Sequence, residues 1–157
     1  MKEKTMLLIQ CVLLPLTVGA LSALLSGGGM REFQLLNQPP LSPPGWLFPV
    51  VWTILYILMG IASYLVIVSD AGAREKRRAL LVYGLQLFVN FFWSILFFRW
   101  DLYLAAFLWL LLLWSLIFLN RKLFGEISKA AGALLLPYLL WVTFAGYLNL
   151  FIFLLNP

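Results

Sequence analysis

Gln86, Asn90, Trp93 and Phe97 recur at i, i+4, i+7 and i+11, which puts two amides and two aromatic rings on one stripe of a helix. Trp52, Tyr56, Met59 and Ser63 repeat that spacing, and Tyr138, Trp141, Ala145 and Asn149 nearly do. Side chains of these types converging on one space would hold a flat, apolar, aromatic ligand by stacking and orient it through one or two polar contacts. A macrocycle such as a porphyrin fits that chemistry. A packing explanation stands beside each stripe: amides in hydrocarbon act as interhelical glue worth about 1 kcal/mol each, and aromatic stripes fill cores. The chain contains no His, which removes His–metal ligation, catalytic triads and imidazole proton transfer. No metal site is expected, and Tyr, Cys and Met would be the only axial ligands for a haem iron.

The elements that carry these stripes must lie in lipid. Of 157 residues 64% are hydrophobic and 11% charged, with a mean hydropathy of +0.99, too little polar surface to clothe a soluble particle. Five uncharged runs, Thr5 to Met30, Phe33 to Ser69, Ala79 to Phe98, Leu102 to Asn120 and Ala130 to the C-terminus, each reach the roughly 20 residues of a spanning helix. The expected fold is all-α, a single domain over residues 1–157 built as an integral membrane bundle of five transmembrane helices. The spanning part of the second run should begin near Trp46 and end near Val68, after the proline-rich Asn37 to Gly45. Only Arg99, Trp100 and Asp101 separate the third run from the fourth, so those helices should be antiparallel neighbours.

Nine of the 11 Lys and Arg fall at the N-terminus and in alternate loops, leaving Arg31 and Arg99 opposite. The positive-inside rule then places the N-terminus in the cytoplasm and the C-terminus outside, most simply in the plasma membrane of a bacterium. The net charge of +5 reads as topology, with the lipid bilayer and not nucleic acid as partner. Lys2 and Lys4 before an apolar stretch also imitate a cleavable signal peptide, which would leave four helices. The single Cys11 reads as a small hydrophobe. No Asp, Glu, Lys or Arg lies mid-span, so an ion-coupled pump is not expected.

Between the first two spans, Gly27, Gly28 and Gly29 form a flexible joint, followed by the stiff NQPPLSPPG of Asn37 to Gly45. Met30 to Ser42 is thus either a lid over the bundle mouth or a passive connector, and Pro43 and Pro44 can open the second helix. Gly19 and Ala23 form a small-xxx-small pair suited to close helix approach, within the bundle or between two protomers.

The run PPLSPPGWLFPVVWTILYILMGIASY from Pro39 to Tyr64 resembles the signature of the TspO/MBR family, the tryptophan-rich sensory proteins and peripheral benzodiazepine receptors. LQLFVNFFWSILFF from Leu85 to Phe98 is similar to the family's third helix, and PYLLWVTFAGYLN from Pro137 to Asn149 to its fifth. The resemblance implies a five-helix bundle, often a homodimer, whose pocket opens toward the long first loop and binds porphyrins, benzodiazepine-site ligands and, in animal members, cholesterol. Its pocket positions fall on Trp52, Asn90, Trp141, Ala145 and Asn149, with loop positions at Pro43 and Pro44. Leu41 stands where the loop pattern has Trp, and only Phe33 represents the loop's aromatic pair. The chain ends without the Lys or Arg of the cholesterol-type pattern.

The expected function is that of a membrane receptor or carrier for a tetrapyrrole such as protoporphyrin IX or a similar flat lipophile, tied to tetrapyrrole homeostasis or stress sensing. No cofactor is required. The ligand-binding candidates are Trp52, Tyr56, Asn90, Trp93, Tyr138, Trp141, Ala145, Asn149, Phe33, Pro43 and Pro44. One alternative, implied by some bacterial members of the family, is light- or oxygen-dependent porphyrin degradation with Trp52 and Trp141 as catalytic candidates. Another is a structural subunit that binds nothing.

Overall fold

The computed structural model describes residues 1–27 and 29–157. Seven α-helices run in order: α1 Lys2–Ser26, α2 Gly29–Leu35, α3 Leu47–Ile67, α4 Ala73–Ser94, α5 Tyr103–Ile127, α6 Lys129–Leu134 and α7 Leu136–Leu155. A π-helical turn, Ile95–Arg99, extends α4. Among the described residues five segments are long and apolar enough to cross a membrane: α1, α3, α4 with its π turn, α5, and α6 with α7. The chain is an integral, multi-pass helical membrane protein. The predicted glycine joint includes Gly28, outside the described residues, while Gly27 has φ 67°.

Helix ends depart from the uncharged runs wherever charge continues a helix past the hydrocarbon. Helix α4 starts at Ala73, taking Arg74 to Arg78 as its first turns, and Lys76 Nζ donates to Ile67 O at 2.9 Å, closing the C-terminal end of α3. Helix α5 continues through Arg121, Lys122 and Glu126 to Ile127. Ser128 then caps α6, its hydroxyl accepting from Ala131 N at 3.3 Å. Pro43 and Pro44 lie ahead of α3: Leu47 N donates to Pro44 O at 3.0 Å, and the proline inside its first turn is Pro49.

The spans close into a ring in which α1 packs on α3 and α4, α4 on α5, and α5 on α7, with α6 seated against α3 at the basic end. The α4–α5 neighbourhood is the one the short Arg99–Asp101 connection predicts, and Asp101 makes the turn at φ 53°. Backbones come closest where side chains vanish. A Cβ on Gly60 would lie 2.5 Å from Val12 Cα, and one on Gly132 would lie 2.7 Å from Gly125 Cα. A Cβ on Gly19 would strike the Tyr56 ring, so the small pair of α1 serves contact with α3 within the bundle.

At the opposite, loop end, α2 lies against the π turn with Phe33 buried among Phe48, Phe97 and Phe98, ring centroids 5.7, 5.7 and 5.8 Å away. The rest of the loop is tied to the end of α7. Asn37 N donates to Asn156 Oδ1 at 3.0 Å, Asn156 Nδ2 returns a bond to Asn37 O at 3.1 Å, and Tyr147 Oη donates to Pro40 O at 2.7 Å. The loop therefore covers the bundle mouth.

Because Gly60 touches backbone and Gly84 has open space around it, their leucine variants should differ. In detergent, Gly60→Leu should lower the melting temperature through about 1–3 kcal/mol of overpacking, whereas Gly84→Leu should leave it unchanged.

Candidate functional site

Inside the hydrocarbon a polar atom has no water to turn to, so the amides and phenols on the inward stripes must satisfy one another. They do so in a chain across three helices. Tyr56 Oη of α3 donates to Asn90 Oδ1 of α4 at 2.9 Å, Asn90 Nδ2 donates to Tyr138 Oη of α7 at 2.6 Å, and Tyr138 Oη donates to Gln86 Oε1 at 2.7 Å. One helical turn nearer the loop end, Trp93 Nε1 donates to Asn149 Oδ1 at 3.1 Å and Asn149 Nδ2 to Tyr103 O at 2.8 Å. Gln86, Asn90, Tyr138 and Asn149 are each at most 3% exposed. Among the described residues the centre of the bundle is filled by this network.

Trp52 stands at the network's edge, half-buried, its ring 5.6 Å from Tyr56, 6.4 Å from Trp93 and 6.1 Å from Tyr138. On its other side lies a cavity of about 600 Å³ between α1 and α3, within the roughly 300–1,000 Å³ of small-molecule sites. Leu16, Gly19, Ala20, Ser22, Ala23 and Ser26 of α1 form one wall, and Phe48, Pro49, Trp52, Thr53 and Tyr56 the other. Ser94 and Phe98 close it from the end of α4, with Gly27, Met30 and Gly45 at the loop end. No lining residue is charged. Ala20, Ala23, Pro49 and Thr53 are exposed, so the cavity faces the bilayer through the gap between α1 and α3.

Of the residues singled out by spacing, the structure thus brings Trp52 and Tyr56 to the cavity wall and Asn90, Trp93, Tyr138 and Asn149 into the filled core behind it. Ala145 is buried on α7. Trp141 is half-buried, 5.9 Å from Phe48 and 5.6 Å from Phe144, and its buried Nε1 has no hydrogen-bond partner in the protein. Pro43, Pro44 and Phe33 line a second, open groove of about 820 Å³ at the loop end, together with Gln38, Leu41 and Trp46, and it adjoins the cavity at Gly45.

The sequence profile of the TspO/MBR family matches residues 11–155. The chain belongs to the TspO/MBR family. It is 39% identical to the tryptophan-rich protein TspO of Chlorobaculum tepidum over the whole of both chains. It is 37% identical to protein CrtK of Rhodobacter capsulatus, covering 88% of this chain and 86% of that one. To the translocator protein of Bos taurus it is 36% identical, over 87% of this chain and 82% of the relative.

The TspO/MBR signature run Pro39 to Tyr64 supplies the loop prolines and the α3 wall of the cavity, but the α1 wall comes from residues the spacing argument passed over. Ser22 and Ser26 were not singled out for a pocket, and Ser94 and Phe98 had no signal beyond lying in the third-helix block Leu85 to Phe98. Gly19 and Ala23 did have one, read only as a packing pair. Asn120 of α5 also went unremarked: it is fully buried, and neither amide atom has a hydrogen-bond partner in the protein.

The two kinds of buried amide should respond oppositely to mutation. Tyr138→Phe strands Asn90 Nδ2 and Gln86 Oε1 and should cost about 1–2 kcal/mol in thermal or denaturant unfolding. Asn120→Leu removes unsatisfied atoms and should raise stability by a comparable amount, about 1 kcal/mol or more.

Proposed function

We propose that this protein is a membrane receptor or carrier for a flat lipophilic ligand, a tetrapyrrole such as protoporphyrin IX, and that it serves tetrapyrrole homeostasis or stress sensing. The observation that carries this reading is the cavity of about 600 Å³ beside Trp52, uncharged throughout and walled by aromatic rings on one side and small residues on the other. Small residues on α1 leave a slot, and the indole and phenol of α3 give it flat, polarizable faces for stacking. The residues fit such a ligand: hydroxyls of Ser22, Ser26, Thr53 and Ser94 offer a few polar contacts on an otherwise apolar wall. Trp52 borders the cavity and Trp141 does not, which favours binding over oxidation by the two tryptophans together. A bundle interior held by completed hydrogen bonds supplies a rigid floor for the ligand.

The same reading places the protein in a bacterial plasma membrane, with Lys2, Lys4, the Arg74–Arg78 cluster and Arg121, Lys122 and Lys129 on the cytoplasmic side. The loop over residues 29–45 and the C-terminus then face outward.

Protoporphyrin IX added to the full chain in lipid nanodiscs should show a shifted, saturable Soret band. Trp52→Ala should weaken binding at least about tenfold through lost stacking and burial, and Ala23→Trp, which fills the slot, should do the same. Trp141→Ala should have a smaller effect. Wild-type and Ala23→Trp titrations that superimpose would remove the cavity from the proposal. For the orientation, a protease-cleavable C-terminal tag on intact cells should be cut from outside.

A further inference from the structure

The cavity lacks charge, but a cation stands at its loop-end rim. The π turn that ends α4 widens the helix by one residue per turn, sending Phe98 into the cavity lining and its neighbour Arg99 to the surface. Arg99 Nη1 donates to Leu25 O at 3.1 Å, and Leu25 precedes Ser26 and Gly27, which both line the cavity. A Cβ on Gly27 would lie 3.9 Å from Nη1. A guanidinium carries five N–H donors in a planar fork, and among the described residues the carbonyl of Leu25 takes one. Asp101, two residues on, is engaged by Tyr103 Oη at 3.3 Å.

Four of the five side-chain hydroxyls that line the cavity have the opposite character; the fifth, Ser94, lies at the end of α4. Ser22 Oγ donates to Phe91 O at 2.8 Å, Ser26 Oγ to Ser22 O at 2.7 Å, Thr53 Oγ1 to Pro49 O at 2.6 Å and Tyr56 Oη to Asn90 Oδ1 at 2.9 Å. Each has one proton and has given it to the protein, so these four present oxygen lone pairs to whatever enters. A carboxylate pushed deep among them would be desolvated against acceptors, whereas at the rim it meets the free edge of a guanidinium.

From this arrangement we infer that Arg99 is a specificity residue that pairs with an anionic end group of the bound lipophile. The cavity then selects amphipathic ligands with a flat apolar body and a carboxylate at one edge, over neutral ligands of the same shape. The inference rests on the proposed ligand-binding reading and narrows its substrate class. It also fixes the ligand's orientation, carboxylate toward the loop end and body against Trp52.

The test compares protoporphyrin IX, a dicarboxylic acid, with its uncharged dimethyl ester in nanodiscs of phosphatidylcholine, which carry no net surface charge of their own. Wild type should prefer the diacid. Arg99→Gln should weaken diacid binding roughly three- to tenfold, the range of a partly exposed charge-assisted contact, and leave ester binding unchanged. Arg99→Lys should restore part of the preference, and Arg31→Gln, which removes the other cation of the loop end, should alter neither ligand. Equal binding of both ligands by wild type, or equal loss of both in Arg99→Gln, overturns the role of Arg99 while leaving ligand binding intact. Failure of both ligands to bind wild type overturns the binding reading, and this inference with it.

Discussion

A helix crossing hydrocarbon satisfies its backbone internally but can do nothing alone for an amide or phenol side chain. In this bundle that constraint decides which face of each central helix turns inward. Gln86 and Asn90 on α4 and Tyr138 on α7 are linked through two hydrogen bonds at a single phenolic oxygen, and Tyr56 extends the line to α3. Rotating any one of these helices by a third of a turn would leave at least one donor or acceptor facing lipid. The network thus sets helix rotation, which apolar packing among leucine-rich surfaces specifies weakly. Trp109 Nε1 of α5, donating to Val89 O of α4 at 2.7 Å, and Trp114 Nε1, donating to Thr143 Oγ1 of α7 at 2.8 Å, fix the fourth span by the same rule.

With α3, α4, α5 and α7 held in this way, α1 is the member with least claim on the interior. Its buried residues are Cys11, Pro15, Ser22 and Ser26, and its close contact with α3 is made by glycine, at Gly60 against Val12 and Gly19 against Tyr56. Toward the loop end, where Ala20 and Ala23 face α3, neither side supplies the volume to close the gap. The void follows from side-chain size: small residues that allow close approach at one level leave a slot at the next. An apolar molecule dissolved in the bilayer meets that slot directly, without crossing the loop.

The sequence made the spans legible because uncharged length and bilayer thickness are one-dimensional quantities. It also made the stripes legible, since i, i+4, i+7 spacing needs no partner to be seen. What each stripe would meet was not legible. Asn90 facing a pocket and Asn90 facing Tyr138 have the same period, and only the rotation of a second helix distinguishes them. The π turn leaves no mark in ILFFR that propensity could read, yet it aims Phe98 and Arg99. The uncharged runs stop short of the helix ends at Ala73 and Ile127 for a simpler reason: loss of hydropathy marks where the membrane stops, and α4 and α5 project beyond it.

The loop joins the two halves of this arrangement. One end of it, α2, is anchored by Phe33 to the π turn beside the cavity; the other is tied through Asn37 and Pro40 to the last turns of α7. These ties are of different kinds. Phe33 is buried among three aromatic rings, a contact that strengthens as water leaves, whereas the Asn37–Asn156 pair is exposed and competes with solvent for each bond. Opening of the bundle mouth would therefore begin at the α7 side, with Phe33 as the pivot. The cavity wall carried by Phe98 and Gly27 would be disturbed last, whereas Met30 and Gly45, which line the cavity from the loop, would move with it.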